Sequence, residues 1–293
     1  MKLSFLSAAL VTSTLVFAGC SASPENACSN SGQALTVCAS GSVTKGVDVS
    51  YYQGTINWAS VKGAGITFAF ARVSDGTGTL DSKFAANWKG MKANNIVRGV
   101  YQFFEPGEDP TKQANLVISE VKGEGGFVAG DLPPVMDIET TGGQTDATIQ
   151  SHMQTWLNVI ANAIGRKPII YTNLSTSSHF GGKFTSYPMW VASWGASCPT
   201  MPNGWKSWKF WQYSDTGTVS GISGGVDHDE FNGSLADLKA WANPTPPPST
   251  DGGTPTTKDA GSTDSGTIHD AGTTIADAST PEPDAGEPDP CAP

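Results

Sequence analysis

Apolar residues fall along this chain in short runs rather than in one long block. Runs at 46–50, 66–72, 97–104, 135–139, 168–171, 188–192, 208–213 and 226–231 read as eight strands. Helical periodicity fills the gaps between the early ones. Residues 81–93 open on Asp81, a good capping residue, and space Phe84, Trp88 and Met91 at helical intervals. Residues 110–121 and 145–164 follow the same rule, the second placing Ile149, Met153, Trp156, Leu157 and Ile160 on one stripe. Strands alternating with helices imply β-α-β units and a parallel sheet, and eight strands point to a closed barrel. The later strands are separated by loops rich in Gly, Ser and Pro. The expected fold is therefore α/β, an irregular TIM-like barrel with few helices in its second half, formed as one domain over 44–243.

The apolar run 132–136 ends in Asp137-Ile138-Glu139. Side chains alternate across a strand, so the two carboxylates share a face. Their like charges resist joint ionisation and tend to keep one of them protonated near neutrality. A proton donor beside a carboxylate is the equipment that cleaves a glycosidic bond. Such triplets are also common in turns and at solvated edges, so the setting gives this one its weight. Barrel active sites gather where strands end, and Asp48 stands near the end of the first strand, with Asp227 in the last. Tyr101, Tyr171, Trp190, Trp194, Trp211 and Tyr213 lie at or near other strand ends. Rings beside acids suit a carbohydrate, because aromatic faces stack on sugar C–H groups while carboxylates handle hydroxyls and protons. Core packing competes with that reading for each ring and is preferred for the mid-helix Trp88 and Trp156. His152, His179, His228 and His269 show no metal-ligand spacing, and alternation aims His228 away from Asp227. No metal and no cofactor is expected.

The formal net charge of −10 is mostly a property of residues 244–293, which hold nine acids against Lys258. Residues 46–243 carry 17 acids and 14 bases without a basic stripe, so nucleic acid is not an expected partner. The 244–293 segment is built from Pro, Thr, Ser, Asp, Gly and Ala, with Asp-Ala-Gly recurring at 259–261, 270–272 and 284–286. It is expected to be a disordered spacer. At the other end, Lys2, an apolar stretch over 3–17 and Ala18-Gly19-Cys20 read as an export signal over 1–19. Small residues before Cys20 resemble the lipobox of bacterial lipoproteins, although Phe17 stands where an aliphatic residue is usual. Cys20 is thus the lipidation candidate, and a lipid anchor the only expected membrane contact. Export permits disulfides. Of the cysteines left after Cys20, Cys28 and Cys38 form the natural local pair in a linker over 20–43, leaving Cys198 and Cys291.

These residues resemble a known family. Gly46-Val47-Asp48-Val49-Ser50-Tyr51-Tyr52-Gln53-Gly54 is similar to the opening motif of glycoside hydrolase family 25, the Ch-type lysozymes. Asp81-Ser82-Lys83-Phe84-Ala85-Ala86-Asn87-Trp88, Gly99-Val100-Tyr101-Gln102-Phe103-Phe104 and Asp137-Ile138-Glu139 resemble its next motifs. Ile170-Tyr171-Thr172-Asn173, Trp190-Val191-Ala192-Ser193-Trp194, Trp211-Gln212-Tyr213-Ser214 and Gly225-Val226-Asp227-His228-Asp229-Glu230-Phe231 follow in the family order. The resemblance spans 46–241. It implies a (β/α)5β3 barrel that acts as a monomer on peptidoglycan glycan strands, cleaving the β-1,4 bond between N-acetylmuramic acid and N-acetylglucosamine. Glu139 would be the general acid and Asp137 its assistant, with Asp48 and Asp227 orienting the pair. Tyr101, Tyr171, Trp190, Trp194 and Trp211 would bind the glycan. Gln102 stands where the family often has His, and Trp194 where a smaller ring is common. The rival reading is a non-catalytic wall-binding barrel. Two strand residues put the α-carbons of Asp137 and Glu139 roughly 6.6 Å apart, but carboxylate separation depends on rotamers, so retention and inversion stay open. A route assisted by the substrate's own N-acetyl group is favoured.

Overall fold

A computed structural model describes residues 35–243. The signal segment, Cys20, Cys28, Cys291 and the acidic segment after Asn243 lie outside the described residues. The chain begins with β1 (Val43–Val49) and α1 (Trp58–Gly63), then β2 (Phe68–Asp75), β3 (Thr79–Leu80) and α2 (Phe84–Ala93). Next come β4 (Val97–Phe103), α3 (Pro110–Gly123), β5 (Val135–Asp137), α4 (Asp146–Ile164) and β6 (Ile169–Asn173). The remainder is α5 (Leu174–Ser177), β7 (Met189–Ala192), β8 (Phe210–Gly217), β9 (Val226–Asn232) and α6 (Leu235–Ala242).

The strands are ordered β1-β9-β8-β7-β6-β5-β4-β2, and β1 pairs with β2 to close an eight-stranded barrel. Neighbours run parallel except β9, which is antiparallel to both β8 and β1. The ninth strand, β3, is a two-residue return against the end of β2. No helix separates β7 from β8, as the Gly/Ser/Pro-rich spacing predicts.

Local signals set most boundaries. Thr145 accepts from the amide of Thr148 to start α4, and Gly165 in the left-handed region stops it. Helix α2 begins later than expected, because Asp81 does not cap it. The Asp81 carboxylate instead accepts from the amides of Lys83 and Tyr51 and from Arg72. Helices α1 and α6 are too short to show a period in sequence. Side-chain caps at Asn57 and Ser234 and the burial of Trp58, Val61, Leu238 and Ala242 hold them.

Strand alternation divides the core in two. Phe68, Phe70, Trp190, Phe210 and Phe231 fill the barrel interior, with Phe70 stacked on Trp190 at 4.6 Å. Their neighbours Ala69, Ala71 and Val191 face the surrounding helices, with Trp88 and Trp156 in the same outer layer. Gly46 and Gly99 make the plug possible: a Cβ on either would lie 2.3 Å from the ring of Phe68 or Phe70.

The structure corrects the cysteine pairing. Cys38 is bonded to Cys198, not to Cys28. Residues just before β1, expected as linker, form a strap over the β7–β8 connection. Thr36 bridges to Thr200, and the Val37 amide donates to Pro199. The Trp208 indole donates to the Val37 carbonyl. Sequence proximity favoured Cys28, but the strap carries Cys38 to the β7–β8 connection, within a 4.7 Å α-carbon separation of Cys198.

Candidate active site

Above the aromatic plug, the inward positions change from apolar to acidic. Strand β1 turns Asp48 inward two residues after Gly46, and antiparallel β9 sets Asp227 opposite Asp48 and Asp229 opposite Gly46. Asp227 and Asp229 both lie within the field of Asp48 and oppose its ionisation. Strand β5 ends at Asp137; Ile138 turns into the outer core, and Glu139 returns to the cleft. The triplet's backbone is pinned by β6 and α5. The Ile138 amide donates to Tyr171, Thr172 Oγ1 donates to the Ile138 carbonyl and Thr176 Oγ1 to that of Glu139. These contacts hold the acid pair on the fixed end of a strand rather than on a free loop. Glu139 lies within the field of Asp137 and opposes its ionisation.

The cleft around them measures ≈ 400 Å³, within the range of small-molecule sites. Asp75 and Asp215 add to its acids, and among the described residues Arg72 is the one cationic side chain lining it. That guanidinium is committed to Asp81 at 3.1 Å, and it lies 5.0 Å from the Tyr51 ring and 5.5 Å from the Tyr52 ring. The acids therefore face one another with little compensating positive charge.

Tyr101, Tyr171, Trp190 and Trp194 all line this cleft. Trp190 is buried and its indole donates to Asp229 Oδ1 at 2.9 Å, whereas Trp194 is 52% exposed at the rim. Trp211 does not line it. Alternation along β8 turns Phe210 and Gln212 inward and Trp211 outward, where its indole donates to the Ser193 carbonyl and its ring packs on Trp208. Gln102 is likewise not a cleft residue. It lies between barrel and helices, donating to Ser74 and accepting from the Trp156 indole at 2.7 Å. His228 points out of the barrel against Tyr213.

Sequence reasoning missed Asp229, Gln212, Asp75, Asp215, Arg72 and Tyr52 as cleft or floor residues. The period of two had already placed Asp229 on the face of Asp227, and Gln212 on that of Phe210. Among the described residues, no group of three or more His, Cys, Asp or Glu is arranged to hold a metal ion.

The model of the family described as Glycosyl hydrolases family 25 matches residues 47–222. Lysozyme M1 of Streptomyces globisporus is 40% identical over 215 residues, covering 69% of this chain and 72% of that protein. The chain belongs to glycosyl hydrolase family 25. The bacterial lysozyme from Streptomyces coelicolor superposes with a TM-score of 0.63 at 36% identity, over 69% of this chain and 98% of that one. The muramidase from Trichobolus zukalii also scores 0.63, at 29% identity over 69% of this chain and 100% of its own.

A glycoside hydrolase needs one carboxyl group with a proton and another without, and burial pushes the acids of this cleft toward the protonated form to different degrees. Asp137 and Asp48 are pushed well above the usual carboxylate range, by desolvation first and then by neighbouring acids. Asp229 is raised the same way. Asp227, less enclosed, is pushed up to about 6, chiefly by burial. Glu139 is raised by burial, opposed by the hydrogen bond from Asp137. Asp137 is the deeper of the two, and its Oδ1 is buried without a partner among the described residues.

Proposed function

We propose that this family 25 hydrolase is an exported muramidase that cleaves the β-1,4 bond between N-acetylmuramic acid and N-acetylglucosamine in peptidoglycan. The observation carrying the chemistry is the Asp137–Glu139 pair, in which burial and the neighbouring Glu139 push Asp137 well above the usual carboxylate range and leave it an oxygen without a partner among the described residues. An acetamido N–H of the substrate supplies the missing partner for that oxygen. Accepting it favours ionised Asp137 and leaves Glu139 as the carboxyl that carries a proton. Glu139 then protonates the leaving oxygen as the glycosidic bond breaks, while Asp137 steadies the N-acetyl group as its carbonyl oxygen attacks the anomeric carbon. Water, giving a proton to Glu139, then opens the cyclic intermediate and frees the new reducing end. Asp48 and Asp227 orient the pair; Tyr101, Tyr171, Trp190 and Trp194 form the wall against which sugar rings stack. The strand order supports the (β/α)5β3 arrangement. The Cys38–Cys198 bond and the 1–19 signal pattern support export, with Cys20 the site of a lipid anchor.

The test is mass spectrometry of purified peptidoglycan digested by the exported chain, beside Glu139→Gln. New reducing-end N-acetylmuramic acid, absent with the variant, is the expected result. Full activity of Glu139→Gln removes the assigned acid, and reducing-end N-acetylglucosamine removes the assigned bond.

A further inference from the structure

Gln212 is buried, and its side-chain amide is engaged at both ends. Its Oε1 accepts from the Tyr171 hydroxyl at 2.8 Å and from the Trp194 indole N–H at 2.9 Å. Its Nε2 donates to Asp48 Oδ2 at 2.8 Å. An indole N–H only donates, so Trp194 decides which end of the amide is oxygen. The opposite end is then NH2, and Asp48 Oδ2 must accept. Accepting that N–H favours the ionised form, so a proton held among Asp48, Asp227 and Asp229 is disfavoured on that oxygen. One amide thus joins a half-exposed ring at the rim to the carboxyl cluster on the floor.

We propose that Gln212 is a positioning residue that couples the seating of Trp194 to the placement of the proton among Asp48, Asp227 and Asp229. Its kinetic consequence rests on the muramidase reading; the coupling itself does not.

The surroundings of Asp48 give the sign. Asp227 and Asp229 face it from β9 and Asp137 from β5, each opposing its ionisation. The hydroxyls of Tyr101 on β4 and Tyr171 on β6 also lie within its field. The Gln212 N–H acts against the acids, favouring the ionised form. Without that donor Asp48 takes up its proton at higher pH. In Gln212→Met the acid limb of the kcat/KM profile therefore moves up by about one pH unit, a tenfold loss below it. Trp194→Phe keeps the ring but removes the N–H that orients the amide. It shifts the same limb by less. A residue that merely filled space would lower kcat/KM evenly across pH.

A measurement without substrate separates this proposal from the functional one. In proton–nitrogen spectra of the protein, the indole signal that Trp194→Phe removes identifies Trp194. That signal is expected to move with the carboxyl titration in wild type and to stop moving in Gln212→Met. If Gln212→Met fails to fold, the kinetic profile of Trp194→Phe carries the test. A Trp194 signal that ignores the titration in wild type, or an unshifted acid limb in a folded Gln212→Met, overturns the proposal. A titrating signal in a protein that releases no muropeptides supports the coupling while removing the muramidase reading.

Discussion

Removing the Cys38–Cys198 bond, as Cys38→Ser with Cys198→Ser, has a cost that follows from its place in the chain. The bond joins residues 160 apart. Cross-linking so long a segment restricts the unfolded chain, and the chain-entropy relation puts the stabilisation at about 5 kcal/mol. The native state offsets little of this, because other contacts hold the strap. The Met201 amide donates to Leu35 at 2.7 Å, the Val37 amide to Pro199 at 3.1 Å and the Trp208 indole to Val37 at 2.8 Å. In a domain of this size each kcal/mol moves Tm by roughly 2–4 °C, so the double variant melts about 10–20 °C lower. Calorimetry on oxidised wild type, reduced wild type and the double variant measures it. Turnover well below the melt stays near wild type, since the strap touches none of the acids. A Tm within about 3 °C of wild type, with the bond confirmed by peptide mapping, refutes the reasoning. It would mean that the strap frays without the bond, or that the unfolded chain was never so free. Mapping that instead linked Cys28 to Cys38 would refute the pairing.

Three further perturbations reach other parts of the molecule. Asp227 binds its proton more tightly folded (about 6) than at its ordinary 3.8, so the stability it lends is present at low pH and is lost as pH rises through about 6; Asp227→Asn should flatten that decline, raising Tm at alkaline but not acidic pH while slowing turnover, and a Tm gap independent of pH would contradict it. The buried Arg98–Asp131 pair, bonded at 2.8 Å and 3.1 Å, leaves an uncompensated guanidinium in Asp131→Ala. That should cost about 3–5 kcal/mol in urea unfolding, and a change under about 1 kcal/mol would show the cation reaching water. Trp194→Ala and Trp211→Ala should separate cleanly. The first raises KM with little change in stability, and the second costs about 3–5 kcal/mol of stability with KM unchanged; the reverse pattern would return Trp211 to the glycan wall.

The eight strand runs, the three long helices and the Asp137-Ile138-Glu139 triplet were legible in the chain because each depends on local periodicity, which a few neighbouring residues establish. Even the opening between β7 and β8 was visible in loop composition. Local pattern does not say which phase of an alternating strand turns inward. Trp211 and Gln212 are adjacent, and only packing against Trp208 on one side and Asp48 on the other assigns the ring to the core and the amide to the cleft. Nor does it reveal partners that barrel closure brings together. Gln212 and Asp48 are 164 residues apart, Trp190 and Asp229 39, and Cys38 and Cys198 160. Backbone preference acts over a turn or a strand. The proton relations of the acids and the disulfide arise where β9 inserts between β8 and β1 and the strap folds over the β7–β8 connection, so they come into being only when the whole barrel closes.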